Sequence, residues 1–183
     1  MTSDRDTKKL ALAGITAALS FAGYAVFPAV NAFGLKFHLG NAFVVLGALL
    51  LGGVPGGLAG AVGLSIADII SGFAAAAPIT FVCKFLIGLI TGLVAHRSAR
   101  LSESHPKKYI LKWSVLASAA GLGCNCLADP VLNYLWQRLI TPGAEALLSI
   151  NILFTVLNAA VNTVCAVALY SALRPVLRRM NLL

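Results

Sequence analysis

Residues 63–88, GLSIADIISGFAAAAPITFVCKFLIG, are apolar enough to lie in a lipid bilayer, yet they hold an acid, Asp68, and a base, Lys84. An unpaired charge at the bilayer centre costs about 3 kcal/mol or more, so intramembrane charges pair or line a polar cavity. The whole chain has the same character. Of its 183 residues 59% are hydrophobic and 11% charged, against about 45–50% and about 25% in a soluble domain. A spanning helix takes about 20 apolar residues, so five or six spans use up nearly the whole length. The reading is a single membrane domain over 1–183, with no soluble domain beside it.

Hydropathy and punctuation divide the chain into an all-α bundle of six transmembrane helices, at about 9–27, 41–52, 58–71, 78–96, 110–139 and 147–173. The first is too long for a signal-peptide core and is read as a retained helix. It stops at Pro28. GGVPGG (52–57) reads as a tight turn, Pro78 as a first-turn proline, ADP (128–130) as a possible break in the fifth helix, and TPGAEA (141–146) as a turn. RSARLSESHPKKY (97–109) is the hydrophilic loop. Eleven of the fourteen Lys and Arg fall in three clusters: Arg5, Lys8, Lys9; Arg97, Arg100, Lys107, Lys108, Lys112; and Arg174, Arg178, Arg179. Six spans put all three on one side, which by the positive-inside rule makes both termini cytoplasmic. The net charge of +8 therefore describes orientation and not a nucleic-acid partner.

Small residues recur at four-residue spacing: Ala13 with Ala17, Gly14 with Ala18, Gly56 with Gly60 and Gly88 with Gly92. Such spacing lets helix backbones approach closely in lipid. On the first helix two pairs lie side by side, enough for a docking surface. Cys83, Cys124, Cys126 and Cys165 all sit in apolar segments; the CNC spacing is poor for zinc, and they read as core residues with no metal or cofactor.

The sequence resembles the substrate-binding S components of energy-coupling factor (ECF) vitamin transporters, on FHLGNAFVVLGALLLGGVPGGLAGAVGLSIADIISG followed by APITFVCKFLIGLITGLVAH. The nearest branch is the riboflavin and hydroxymethylpyrimidine type. AGITA on the first helix is similar to the family's small-residue docking motif, and LNAAVNTVCAVALYSAL to its last helix. HLGNA departs from the pattern, with Asn41 where an aspartate is expected. The resemblance implies a subunit in a prokaryotic cell membrane that binds a vitamin or vitamin-like precursor from outside. It would work with a T-type coupling subunit, docked at Ala13, Ala17, Gly14 and Ala18, and with two cytoplasmic ATPases. It implies no chemistry of its own, and the sequence has no Gly-x-x-x-x-Gly-Lys-Ser/Thr phosphate loop.

The candidate binding residues follow from polar groups at helical spacing. Asn125, Asp129 and Asn133 recur every four residues and share a face; Asn151, Asn158 and Asn162 recur at steps of seven and four, again on one face. They read as a hydrogen-bonding pocket, with interhelical amide bonds that hold the bundle as the alternative. Asp68 and Lys84 lie about 5 Å and about 9 Å below the outer ends of adjacent antiparallel helices, so they are expected to pair. Lys84 is also a candidate for the ligand, with Phe37 and His38 from the loop before the second helix. Phe33, Phe73, Tyr134 and Trp136 are further aromatics for stacking a flat heterocycle; Tyr109 and Trp113 read as inner-interface anchors. The competing classes are an intramembrane enzyme and a structural assembly subunit. The first lacks a Ser/His dyad, a His-Glu-x-x-His or a multi-aspartate motif; the second leaves the polar faces unexplained.

Overall fold

The structure is a computed structural model describing residues 2–26, 37–140 and 148–180, and among these it is entirely helical. The helices are α1 (Thr2–Ala25), α2 (Gly40–Leu51), α3 (Gly53–Ile70), α4 (Ala77–Gly92), α5 (Lys107–Ile140) and α6 (Leu148–Arg179). A short 3-10 turn at Ala74–Ala76 precedes α4, and a π-helical turn at Leu93–Ser98 follows it. Pro28, Phe33, Lys36 and the 141–146 turn lie outside the described residues, as does the side chain of Asn151.

Among the described residues, four helical stretches are long and apolar enough to cross a membrane: Gly53–Ile70, Ala74–Ser98, Lys107–Trp136 and Thr155–Arg179. The chain is thus a multi-pass membrane protein. α2 has 12 residues, about 18 Å of helix, short of a hydrocarbon core of about 30 Å. It compensates by position. GNAFVVLGALLL is apolar all round, as a helix enclosed by others should be, and Gly40–Leu50 is buried apart from a half-buried Phe43. α1, α3, α4 and α6 all pack on it. In α1 the apolar part begins only at Leu10, after Asp4, Arg5, Asp6, Lys8 and Lys9.

GGVPGG is not a turn. Gly52 alone makes the link, with φ 97°, a left-handed value that favours glycine, and Gly53–Gly57 are wound into α3. Pro55 is tolerated there because first-turn N–H groups have no helical partner. The glycines are needed for a helix crossing. A methyl group on Gly88 would collide with the Cα of Gly57, and one on Gly92 with the Cα of Gly53. Each pair is spaced by four, so α3 and α4 touch backbone to backbone over a full turn. On its other sides α3 meets α2 at Gly56 against Gly47, and α1 at Gly63 against the carbonyl of Ala17.

Three helices outrun their apolar segments. α1 starts at Thr2 and not near 9, and α6 reaches Arg179 and not 173, because hydropathy marks lipid contact while a helix can continue into water. α5 passes unbroken through Pro130 and α6 through Pro175. A proline removes one ladder hydrogen bond, and packed neighbours and polar side chains make this tolerable in a membrane helix. One residue before Pro130, the carbonyl of Asp129 accepts an extra bond from Asn133 Nδ2 at 2.8 Å.

α1 and α2 run antiparallel, with Gly23 against Gly40 and Thr16 against Gly47. The start of α1, the end of α4, the start of α5 and the end of α6 therefore fall at one end of the bundle. All three basic clusters lie there. Arg174 Nη2 donates to the carbonyls of Leu101 (2.9 Å) and Glu103 (3.0 Å), and Arg178 to that of Ser102. His96 joins the same loop to the core, through Ser102 Oγ at 2.9 Å and the Ala48 carbonyl at 3.1 Å.

Candidate functional site

Lys84 is paired with Asp129, not with Asp68. The ammonium of Lys84 lies 3.2 Å from Asp129 Oδ1, with side-chain exposures of 8% and 27%, and 3.5 Å from Asn125 Oδ1. Asp68, 1% exposed, accepts instead from the hydroxyl of Thr80 on α4. Depth along the helices allowed either partner for Lys84. Rotation of α4 about its axis decides, because Thr80 and Lys84 share a face four residues apart and each meets a different acid.

Asp68 also holds the turn between α3 and α4. Its carbonyl accepts from Phe73 N at 2.8 Å, and Ser65 Oγ donates to Ala77 O at 3.2 Å. From the far side, Trp136 Nε1 on α5 donates to the Ala75 carbonyl at 2.6 Å. Trp136, one of the expected stacking aromatics, thus clamps the 74–76 turn. Phe73 is 40% exposed on that turn. Thr80 and the Trp136–Ala75 clamp were not foreseen, although the spacing of Thr80 to Lys84 was a signal for the first.

The amides divide into two groups. Asn125, 4% exposed, faces Lys84 and belongs with the ion pair. Asn162 is fully buried and its amide is occupied by the protein. Its Oδ1 accepts from Ala42 N at 2.7 Å, and its Nδ2 lies 3.0 Å from His38 O, 2.7 Å from Asn158 O and 2.6 Å from Asn158 Oδ1. α2 has no side-chain cap of its own. Ala42 is in its first turn, where its N–H also reaches the Leu39 carbonyl at 3.0 Å, and Asn162 adds a second, shorter acceptor from 120 residues away. For Asn162, the interhelical amide bond is the reading the structure favours. Asn133 likewise bonds back to its own helix. Asn158, 4% exposed, belongs with Asn162 through its Oδ1; nearby, Cys126 Sγ on α5 approaches Thr155 O on α6 at 3.8 Å.

His38 is buried against Tyr24, with ring centroids 5.0 Å apart. Phe37 is half-buried at the edge of the described segment. The four cysteines are free, and among the described residues no group of three His, Cys, Asp or Glu could hold a metal. What the arrangement offers a ligand is a cation with up to three donors, a carboxylate and an amide that both gives and accepts, all between α4 and α5.

Asn162→Ala is expected to lower stability by about 1–3 kcal/mol, from the loss of its two buried bonds to Ala42 N and His38 O at about 0.5–1.5 kcal/mol each. Ligand affinity measured well below the melting temperature should stay near wild type. An unchanged melting curve would show that α2 needs no cap from α6.

Comparison with curated proteins and with solved structures gives no match. A family model describing the S component of ECF-type riboflavin transporters matches residues 5–175, a stretch running from the first turns of α1 to Pro175 in α6. An all-helical multi-pass bundle with a charged and amide-bearing cluster inside it is in keeping with that match, and the chain belongs to the family of ECF-type riboflavin transporter S components.

Proposed function

We propose that the protein captures a vitamin or vitamin-like nitrogen heterocycle from outside the cell and delivers it inward when docked on a T subunit with two ATPases. Riboflavin, a pyrimidine or pyridine vitamin and a deazapurine precursor all have the required chemistry. The observation that carries this is the Lys84–Asn125–Asp129 cluster, where donors and acceptors stand together in a lipid-facing bundle. A ring edge that alternates N–H and C=O uses both; a simple carboxylic acid would leave Asp129 unmatched. Phe37, His38 and Asn158 are proposed to border the same end of the bundle; Asn133 bonds to the Asp129 carbonyl, and Asn162 to the first turn of α2. Mass spectrometry of small molecules extracted from the purified protein tests the reading. A nitrogen heterocycle at near-equimolar amount is expected, and a purely aliphatic acid would overturn it.

The proposal includes six crossings with both termini cytoplasmic in a prokaryotic plasma membrane. It is supported by the gathering of all three basic clusters at one end. In intact cells, a cysteine introduced at position 74 should react with an impermeant reagent and one at position 103 should not; the reverse pattern would invert the orientation. The T subunit is proposed to dock on α1. There the small residues divide: Ala13 and Ala17 are half-buried, with the Ala17 backbone against Gly63, whereas Gly14 and Ala18 are exposed.

A further inference from the structure

At the basic end of the bundle a groove of about 300 Å³ opens between the start of α3 and the end of α4. Gly53 and Gly92 form its floor; Val54, Leu89 and Leu93 form its walls, and Arg97 stands at its rim. His96 also lines it, but both its ring nitrogens are engaged, by Ala48 and Ser102. Val54 is 52% and Leu93 44% exposed. Arg97 is exposed and, among the described residues, makes no hydrogen bond or ion pair.

We infer that this groove binds an anionic phospholipid, with an acyl chain along Val54, Leu89 and Leu93 and the phosphate against Arg97. Two observations select this occupant. The walls are apolar and the cation is at the rim alone, the pattern of a lipid that has a neutral tail and a charged head. The surrounding field has the same sign: Arg100, Lys107, Lys108 and Lys112 lie at this end, and among the described side chains its acids, Asp6 and Glu103, do not line the groove. Basic pockets between membrane helices bind anionic headgroups for this reason. The groove exists because the α3–α4 glycine crossing brings two backbones together with no side chains to fill the space beside them.

The test is native mass spectrometry of the full chain equilibrated with mixed vesicles of phosphatidylglycerol and phosphatidylcholine that carry the same acyl chains. The wild type should retain phosphatidylglycerol in about fivefold excess, the worth of one interfacial arginine. Arg97→Gln should bring the two lipids close to equal retention, and Lys108→Gln should leave the preference in place. Val54→Trp, which fills the groove and keeps Arg97, should remove both adducts. Equal retention by the wild type overturns the inference, as does a preference that survives both Arg97→Gln and Val54→Trp. Lipid retention unchanged in Val54→Trp together with lost co-purification of a partner subunit would assign the groove to a protein, and also overturns it. All three substituted positions are exposed, and Arg97→Gln alone decides the matter should Val54→Trp fail to fold.

Discussion

Asp129→Ala is expected to weaken binding of a neutral or cationic heterocycle by about thirtyfold or more. Removing one member of a buried charged hydrogen-bonded pair costs about 2–5 kcal/mol, and each 1.4 kcal/mol is about tenfold in affinity. The carboxylate is 27% exposed while its partner Lys84 is 8% exposed, so Asp129 is the member a ligand can reach. The substitution also strands the Lys84 ammonium in the bundle, a loss of about 3–5 kcal/mol of stability. A double variant, Lys84→Met with Asp129→Leu, separates the two effects. It should recover the melting temperature, since an apolar pair of similar volume is tolerated where an ion pair was, and it should still fail to bind. Titration calorimetry with parallel melts reads both quantities. Wild-type affinity in Asp129→Ala would remove the α4–α5 cluster from the site. Asp68→Ala, by contrast, should mainly lower stability, because it takes the carboxylate acceptor away from the Thr80 hydroxyl while Lys84 keeps its partner.

Ala18→Trp is expected to reduce uptake by the assembled transporter to background while ligand affinity and the melting curve stay at wild-type values. Ala18 is exposed, and one turn away a methyl group added to Gly14 would meet nothing within 4 Å. An indole there has open space in the isolated subunit. It would instead hold a partner helix away from the small-residue face, where close backbone approach is the source of packing energy in lipid. Ala17 is the wrong position for this test. Its backbone packs on Gly63 of α3, so a bulky residue at 17 risks disturbing the bundle itself. Transport in reconstituted vesicles, with binding measured on the same preparation, distinguishes the outcomes; unimpaired uptake would place the docking surface elsewhere.

Much of this was legible in the residues. Apolar run length identified a membrane bundle, Gly52 and Pro78 marked the end of α2 and the start of α4 to within a residue, and the basic clusters anticipated which helix ends lie together. The GGVPGG segment was misread because glycine and proline together ordinarily mean a turn. Here a single glycine makes the turn and the others make a crossing, a distinction visible only once α4 is in place. The break expected at ADP failed for a related reason: a proline ends a helix in water more readily than in a packed bundle, where neighbours restore the lost bonding.

The sequence by itself determined the all-helical, multi-pass character of the chain and the gathering of the basic clusters, since these depend on composition along one chain. It also showed that Lys84, Asp68 and Asp129 must find partners, because burial of a charge demands one. Only the tertiary structure decided which partner each has. Pairing Lys84 with Asp129, Asp68 with Thr80, and Asn162 with the first turn of α2 depends on how each helix is rotated about its axis and how far it slides along its neighbour. Periodicity fixes which residues share a face but leaves that rotation and offset free. They are set by where glycines allow backbones to touch: Gly53 and Gly57 against Gly92 and Gly88, and Gly63 against Ala17.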